Sequence, residues 1–467
     1  MKKLAVALAS ALLVAGVPAA EAATPTAGGA GIGDPYFPTD GNGGYDVVHY
    51  DIHDSYRIDT HRLFGWTAVT ARATKDLSSF HLDFLLSVDA VKVDGARAAF
   101  ARPSRHELVV SPAEPIPAGT VFRVRVAYHG DPSATVWPRK HGLFADDHEV
   151  MATNEPHIAP WWFPANDHPR DKARFDITVK VPPGNKVIAN GRLVKAVYGK
   201  RWTSWHWTAR DPMATYLAFF AGGRFTVERG VDNGLPWTIA VSRRLPTREH
   251  RQSLELMRTT PRVVSWLASQ LGHYPFEVTG GVTTSLSRNF ALENQTRPTY
   301  DAWGGAGAIG VVVHEQAHQW FGDSVAIRSW SDIWLNEGFA SFMGVRWDET
   351  HGDPAAQWWL QRTYRDFPAD DEIWTVPPGA PGKAYIFSRS VYTRGAMTLQ
   401  ALRHRIGDAD FWPLLRTWAS QRRNGNGSVR DFTALAEQVS GEDLGGFFKA
   451  WLFTRAKPAA TADNGLR

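Results

Sequence analysis

The sequence predicts an α+β protein in which an antiparallel β domain precedes a mainly helical domain. From residue 45 to about 226, short runs of alternating apolar and polar residues, such as 121–126 and 175–181, are separated by turn-forming residues. Beyond residues 230–236 this alternation gives way to helical periodicity. The predicted helical segments are 248–271, 309–321, 334–347, 394–405 and 435–451.

These patterns divide the chain into consecutive segments. Residues 23–44 are rich in Gly, Pro, Thr and Asp, which indicates a linker or arm. We expect the β domain at 45–232, the helical domain at 233–456 and a C-terminal tail at 457–467.

Residues 1–22 have the features of a secretory signal peptide. Two lysines precede an apolar stretch from Leu4 to Val17, and Ala20-Glu21-Ala22 resembles a cleavage site. A membrane anchor is the alternative, but the stretch is shorter than the roughly 20 residues that cross a bilayer. We therefore expect a bacterial protein that is secreted, with its signal peptide cleaved and no membrane anchor in the mature chain.

The composition is that of a folded protein, with 43% hydrophobic and 21% charged residues. The 51 basic and 47 acidic residues nearly balance, so we expect no binding to nucleic acid. The chain has no cysteine, which excludes disulfides, thiolate catalysis and cysteine-ligated metal.

The segment His314-Glu315-Gln316-Ala317-His318 follows an apolar run and continues a helical pattern. Positions i and i+4 of a helix share a face, so both imidazoles point the same way. Two such imidazoles can occupy two corners of a tetrahedral zinc site, with Glu315 beside the metal as general base. A buried helix without a metal is the alternative for this motif alone.

Glu337 is the candidate for the third ligand. It follows His318 after eighteen residues and lies within 331–342, a predicted amphipathic helix with Ser331 as its N-cap. A carboxylate among the aromatic residues of this segment is costly to bury unless it is paired or metal-bound. We therefore predict that His314, His318 and Glu337 bind one Zn²⁺ per chain and leave the fourth position for water.

Several motifs resemble those of the gluzincin aminopeptidase family, which includes aminopeptidase N and the leukotriene hydrolases. Members carry H-E-x-x-H, eighteen residues, and then the glutamate of an Asn-Glu-Gly element, as at 336–338. The family's Gly-x-Met-Glu-Asn segment is similar to 290–294, with Phe290 for glycine and Leu292 for methionine. Its Tyr-x-Lys-Gly element is similar to 392–395, with arginine for lysine.

The resemblance covers nearly the whole mature chain and implies a thermolysin-like catalytic domain. It implies a zinc metallopeptidase that hydrolyses N-terminal residues from peptides with a free amino terminus, and the signal peptide implies that this enzyme is secreted. Larger relatives append a helical C-terminal domain, whereas this sequence ends soon after 447–452, so a short member is expected.

The resemblance also implies roles for individual residues. Tyr392 is implied to donate a hydrogen bond to the oxyanion, and Tyr385 is the alternative donor. Glu293 and Glu155 are implied to bind the substrate ammonium, Glu155 because 153–156 resembles the family segment that reaches from the β domain into the cleft.

The backbone of the 290–292 segment is expected to pair with the substrate as an added strand. Ala291 and Asn294 are therefore further candidates for substrate binding. Glycine at the place of Phe290 would allow close backbone approach, so the phenylalanine is expected either to reshape the first side-chain pocket or to block it.

Two other functions are compatible with these residues. The first is a zinc endopeptidase, or another zinc hydrolase, with the same metal centre in an open cleft. The second is a binding protein on an inactive scaffold, which the presence of ligands, base and oxyanion donor disfavours.

Overall fold

The computed structural model describes residues 24–138, 140–302 and 308–467. The predicted α+β class is confirmed, with a β-sheet domain followed by a helical catalytic domain. The predicted signal peptide at 1–22 lies outside the described residues.

Most strands lie in the first half of the chain. They are β1 (Thr26–Ala27), β2 (Tyr45–Arg57), β3 (Arg62–Ala73), β4 (Leu77–Asp83), β5 (Ser87–Val93), β6 (Ala96–Arg97), β7 (Ala99–Ala101), β8 (Glu107–Ser111), β9 (Val121–Gly130), β10 (Leu143–Ala145), β11 (Val150–Ala152), β12 (Lys172–Val181), β13 (Lys186–Ala189), β14 (Arg192–Tyr198), β15 (Thr203–Ala214), β16 (Phe220–Gly223), β17 (Phe225–Asp232), β18 (Leu235–Ser242), β19 (Thr279–Thr283), β20 (Thr299–Tyr300), β21 (Ala326–Ile327) and β22 (Asn426–Gly427).

The largest sheet has eight strands in the order β14-β15-β12-β2-β3-β9-β5-β6. It is antiparallel except where β2 and β12 pair in parallel. Smaller sheets β1-β4-β8-β7 and β10-β11-β16-β13 complete the first domain. In β9 every second residue from Phe122 to Tyr128 is buried, which is the alternation that its sequence predicts.

A fourth sheet, β17-β18-β19-β20, joins strands from residues 225 to 300. Strand β17 pairs along its whole length with β18, from Phe225 opposite Ser242 to Asp232 opposite Leu235. Residues 225–232, which lie in the predicted β domain, thus share a sheet with β18 of the predicted helical domain.

Two helices lie between β18 and β19, and the others follow β20. They are α1 (Thr247–Met257), α2 (Thr260–Leu271), α3 (Ile309–Ala317), α4 (Trp334–Thr350), α5 (Ala356–Asp366), α6 (Glu372–Thr375), α7 (Gly395–Ile406), α8 (Asp408–Gln421), α9 (Val429–Ser440) and α10 (Gly445–Phe448). Two π-helical segments, Ser390–Arg394 and Lys449–Phe453, precede α7 and follow α10.

Two predicted helices are each divided in the structure. The segment 248–271 breaks between α1 and α2, where Pro261 takes an early position of α2 and has no N–H for a continuous helix. The segment 435–451 breaks after α9, where Gly441 has a left-handed backbone with φ of 70°. Hydrophobic periodicity alone does not reveal these breaks, because apolar residues continue at helical spacing on both sides of each break.

The predicted N-cap of the helix that carries Glu337 is also different. Ile333 is the N-cap of α4 and makes no side-chain capping hydrogen bond, whereas the Ser329 oxygen caps the short 3₁₀ turn, Trp330–Asp332, that precedes α4. Ser329 and Ser331 both precede the same apolar run, so the sequence contains two candidate N-cap residues only two positions apart.

Residues 24–44 form an arm that is fastened to both domains. Strand β1 pairs in parallel with β4. Phe37 is buried and packs edge-on against Trp330 of the second domain, with 6.1 Å between ring centres. The C-terminal tail is packed as well, since Leu466 is buried and Asn464 accepts a hydrogen bond from Trp451. In the part of the chain that the structure describes, no helix has the length and apolar content to cross a membrane.

Candidate active site

Three predicted metal ligands converge where α3 meets α4. His314 lies in the last turn of α3, His318 caps its C-terminal end, and Glu337 lies in the first turn of α4. His314 Nε2 lies 3.1 Å from His318 Nε2 and 3.2 Å from Glu337 Oε2. The third side of the triangle, from His318 Nε2 to Glu337 Oε2, is 3.4 Å.

This triangle fits a zinc ion. Donors about 2.0–2.1 Å from a tetrahedral zinc lie about 3.3–3.4 Å from one another, close to the three observed separations. His318 Nδ1 donates to the carbonyl oxygen of Phe321 at 3.0 Å, which leaves Nε2 free to bind a metal. Two imidazoles and a carboxylate are also the donor set of a His₂Glu catalytic zinc site.

The charges at the triangle are strongly coupled. Burial disfavours the Glu337 carboxylate, but the charge of His318 and hydrogen bonds from both histidines outweigh burial and lower its pKa to about 2. Burial also disfavours a charge on His318, yet Glu337 and then Glu293 raise its pKa well above the ordinary value. At His314 burial dominates and lowers the pKa.

A close approach of α4 and α7 sets the position of Glu337. A Cβ on Gly338 would lie 2.5 Å from the Trp334 ring and 3.1 Å from the backbone of Gly395. A Cβ on Gly395 would lie 2.6 Å from the same ring. The glycines that end the Asn-Glu-Gly and Tyr-Thr-Arg-Gly elements therefore allow the two helices to touch beside the metal ligand.

Glu315 lies next to the triangle without belonging to it. One oxygen of Glu315 lies within 4.8 Å of donor atoms from Glu293 and His318. Burial, together with the nearby charges of Glu293 and Glu337, raises its pKa well above that of an ordinary glutamate. It is therefore placed to exchange a proton beside the candidate metal site.

Glu293 is buried on the same side of the cleft. Tyr216 of the first domain donates a hydrogen bond to Glu293 Oε1 at 2.9 Å, and Gln319 donates to its backbone oxygen. Burial raises its pKa, and Glu337 acts in the same direction. Neither Tyr216 nor Gln319 was predicted from the sequence; Tyr216 lies 77 residues from Glu293 and carries no motif.

Glu155 reaches this group of carboxylates from the first domain. Its Oε1 is buried and has no hydrogen-bond partner among the described residues. Burial and the charges of Glu293 and Glu337 raise its pKa well above the ordinary value. Glu155 also lines a cavity of about 860 Å³, whose far wall includes Tyr385 and Ser388.

Ala291 and Asn294 differ in their availability to a ligand. The backbone of Leu292 exchanges two hydrogen bonds with Thr299, whereas that of Ala291 forms none with the described residues. The backbone N–H and C=O of Ala291 are therefore available to pair with another strand. The side chain of Asn294 is fully buried and bonds to Thr153, Thr299 and the Leu217 carbonyl. Asn294 thus fixes the Glu293 segment to the first domain, and its contact with the substrate stays a prediction.

Tyr392 stacks on a metal-ligand candidate. Its ring lies 5.9 Å from that of His314, with 15° between the planes. Burial and the charge of Glu337 raise its pKa well above 10, so the phenol remains a hydrogen-bond donor. Tyr385, the alternative donor, is 46% exposed on the cavity wall. The geometry therefore favours Tyr392.

Phe290 makes an aromatic contact between the two domains. Its ring packs edge-on against Phe144 of β10, 5.9 Å between centres, and the Arg288 guanidinium lies 5.3 Å from it. Arg288 is in turn held by Asp301, with Nε 3.1 Å from Oδ1. These contacts accommodate a large side chain where the family pattern has glycine.

Two family models match the chain. Residues 47–217 match the peptidase M1 N-terminal domain, and residues 280–451 match the peptidase family M1 domain. The structure is similar to that of an M1 zinc metallopeptidase from Deinococcus radiodurans, with a TM-score of 0.83 and 28% identity, covering 92% of this chain and 99% of that one. A mutant of that protein with a Tyr-Ser-Ala substrate bound matches with a TM-score of 0.82.

Longer relatives match along most of this sequence. Glutamyl aminopeptidase of Rattus norvegicus is 25% identical over 463 residues, which cover 89% of this chain and 48% of the relative. Aminopeptidase N of Lactococcus lactis is 23% identical over 457 residues, which cover 88% of this chain and 51% of the relative. The chain thus spans about half the length of the curated relatives it matches.

Fold, candidate metal centre and family models together define a gluzincin metallopeptidase. The chain belongs to peptidase family M1. The resemblance drawn from the sequence motifs is thereby confirmed at the level of the family.

Proposed function

We propose that this protein is a zinc-dependent aminopeptidase that removes N-terminal residues from peptides. The observation that carries the proposal is the position of Glu293, which has a donor atom within 4.8 Å of donor atoms from Glu315 and His318. A buried carboxylate there can pair with an ammonium group only when the bond to be cleaved is the first of the peptide. The Tyr-Ser-Ala substrate bound to the Deinococcus relative supports a peptide as the substrate class.

His314, His318 and Glu337 would hold one zinc ion. When bound, zinc supplies a Lewis acid that polarises the scissile carbonyl and acidifies the attacking water. Glu315 accepts a proton from this water and delivers it to the leaving nitrogen, so the new C–O bond replaces the C–N bond.

The remaining residues bind and orient the substrate. Tyr392 donates a hydrogen bond to the carbonyl oxygen as negative charge develops on it. Glu293 and Glu155 hold the ammonium group from the two domains, and the free backbone edge of Ala291 pairs with the peptide as an added strand.

The test compares aminoacyl-arylamides that have a free amino group with peptides whose amino terminus is acetylated. We expect cleavage only of the free-amine substrates. In the Glu293→Gln variant, kcat/KM should fall roughly 30-fold or more, as for loss of a charge pair of about 2 kcal/mol. Exposed Glu249 supplies the control, since Glu249→Gln should leave kcat/KM unchanged. Cleavage of acetylated peptides alone would instead identify an endopeptidase.

We further propose that the protein is secreted. The proposal is supported by the lysines, apolar stretch and small-residue site within residues 1–22. Mass spectrometry of protein recovered from the culture medium should give a chain that begins at Ala23. Retention of the intact N-terminus in a membrane fraction would contradict cleavage.

A further inference from the structure

A second group of potential metal ligands lies inside the β domain, away from the candidate active site. Asp83 ends β4, and His106 and Glu107 lie at the start of β8, so that Asp83 and Glu107 stand directly opposite each other. One donor atom from each of the three lies within 4.8 Å of the other two. We call these three residues the Asp83 cluster.

The Asp83 cluster gathers buried carboxyl groups at close range, and burial and the mutual repulsion of these groups raise the pKa of Asp83 well above its ordinary value. Two carboxylates directly opposite on paired strands repel each other, and burial strengthens the repulsion. Asp40 and Asp167 lie close enough to add to it. Among the described residues, no lysine or arginine forms an ion pair with any of these four carboxylates; their basic partners are imidazoles, such as His81, which is 2.9 Å from Glu107.

Unsatisfied oxygen atoms supply independent evidence for a ligand. Asp83 Oδ1, Glu107 Oε1 and Asn42 Oδ1 are buried and lack a hydrogen-bond partner in the described part of the chain. Asp83 is only 2% exposed, Glu107 5% and Asn42 0%, so bulk water does not reach them freely. Each such atom destabilises the folded protein if it stays unpaired.

Hydrogen bonds to Oδ2, the other oxygen of Asp83, hold this carboxylate in place. Asp83 Oδ2 accepts hydrogen bonds from Asn42 Nδ2 at 2.9 Å and from the Asp167 backbone at 2.8 Å. The amide of Asn42 is thereby oriented, with its own oxygen left over. His106 Nε2 lies 3.3 Å from Glu107 Oε1 and equally far from the carbonyl oxygen of Thr39 in the arm, so imidazole and carboxylate also converge.

We propose that the Asp83 cluster binds a divalent transition ion such as Zn²⁺ or Mn²⁺, as a structural site separate from the His314, His318 and Glu337 triangle. Two carboxylates and one imidazole are ligands that these ions accept, and two negative charges match one divalent ion. The oxygen of Asn42 is available as a further ligand.

The ion would connect three parts of the molecule. Asn42 belongs to the arm, whereas Asp83 and Glu107 belong to neighbouring strands of the β domain. His106 also packs on Trp137, 4.5 Å between ring centres, and Trp137 lines the cavity beside Glu155. A metal at the Asp83 cluster therefore stabilises the arm and the wall of the cavity together.

The experiment measures metal in a variant that lacks the candidate catalytic ligands. The full-length chain with His314→Ala and His318→Ala is stripped with a chelator, incubated with Zn²⁺ or Mn²⁺, desalted and analysed for metal per chain. We expect one ion per chain to remain, and addition of Asp83→Asn and Glu107→Gln to remove it. In the matched control, Asp59→Asn with Glu114→Gln on the exposed surface of the domain, the ion should be retained.

Thermal unfolding provides a second measurement. In the His314→Ala, His318→Ala variant, addition of the ion should raise the unfolding temperature, and the two cluster substitutions should abolish this rise. Circular dichroism checks that each variant is folded. A folded His314→Ala, His318→Ala variant that retains no ion and shows no rise would overturn the proposal, as would retention of the ion in the variant with all four substitutions.

Discussion

Four glutamates share the cleft, and their neighbours give each a different environment. Glu337 is compensated by two imidazoles, which keep its carboxylate ionised. Glu293 accepts a hydrogen bond from Tyr216, and Oε1 of Glu155 has no partner among the described residues. A substrate ammonium would therefore meet two carboxylates that lack a cation, while Glu315 remains available for proton transfer.

Replacing the proposed base separates proton transfer from metal binding. In the Glu315→Gln variant the amide cannot accept the proton of the attacking water, so kcat should fall roughly 10²–10⁴-fold. Zinc content should not change, because the triangle of donor atoms does not include Glu315. The two measurements are the turnover of an aminoacyl-arylamide and the zinc content per chain. Turnover close to that of the unaltered protein would exclude Glu315 as the base.

At the scale of secondary-structure elements, the contact between α4 and α7 links the metal ligand to the proposed oxyanion donor. Glu337 lies in the first turn of α4, and Tyr392 lies in the π-helical segment that leads into α7. Gly338 and Gly395 allow these helices to approach closely. A change in the spacing would displace Glu337 relative to Tyr392.

Gly338→Ala tests this contact. The added methyl group meets the Trp334 ring and the backbone of Gly395, neither of which can move freely, so we expect a loss of about 1–3 kcal/mol in stability and weaker zinc binding. Gly344→Ala on the same helix is the control, since no atom lies within 4 Å of its added Cβ. Alanine there should be neutral or stabilise the helix by up to about 1 kcal/mol. Urea unfolding and zinc titration check both variants; equal behaviour of the two would refute the role of the close contact.

Site residues whose positions follow from local sequence spacing could be predicted, whereas contacts that form only on folding could not. The i, i+4 spacing predicted that His314 and His318 share a helix face, and the fixed interval to Glu337 predicted the third donor. Tyr216 could not be found in this way, because its hydrogen bond to Glu293 exists only after the two domains pack.

The role of the buried arginine in the Tyr-Thr-Arg-Gly element could also not be predicted from the sequence. Arg394 donates to the backbone carbonyls of Trp374, Ala450, Trp451 and Thr454, which are distant in the chain. Its role is to hold the end of the domain, and a guanidinium has donors for this set of carbonyls that an ammonium lacks. The departure from the family's lysine therefore leaves the proposed chemistry of Tyr392 unaffected.

At the scale of the whole molecule, the arm joins the two domains through one carboxylate. Asp34 Oδ2 accepts hydrogen bonds from His168 of the first domain at 3.1 Å and from Ser329 and the Trp330 backbone of the second, both at 2.8 Å. Its Oδ1 accepts from the backbone of Tyr36 and Phe37. A segment whose composition suggested a linker thus holds the domains together, because a single buried Asp satisfies donors from three directions.

This carboxylate should make stability depend on pH. Burial alone would raise the pKa of Asp34, but the hydrogen bonds from His168, Trp330 and Phe37 outweigh burial and lower it from the ordinary value of 3.8. The unfolded chain therefore takes up the proton more readily than the folded one. The stability that Asp34 contributes is complete above pH 3.8 and is lost as the pH falls through the lower, folded value.

The Asp34→Asn variant measures this contribution. An amide cannot accept all the hydrogen bonds of the carboxylate, and each buried donor left unpaired costs about 1–3 kcal/mol. Urea unfolding should therefore show a large stability difference from the unaltered protein at pH 5–7. The difference should narrow below about pH 4, where Asp34 of the unfolded chain begins to be protonated while that of the folded chain is still ionised. Exposed Asp59 provides the matched control, since Asp59→Asn should change stability by no more than about 0.5 kcal/mol. A difference for Asp34→Asn that is small at neutral pH, or that widens in acid, would show that the arm does not hold the two domains through this residue.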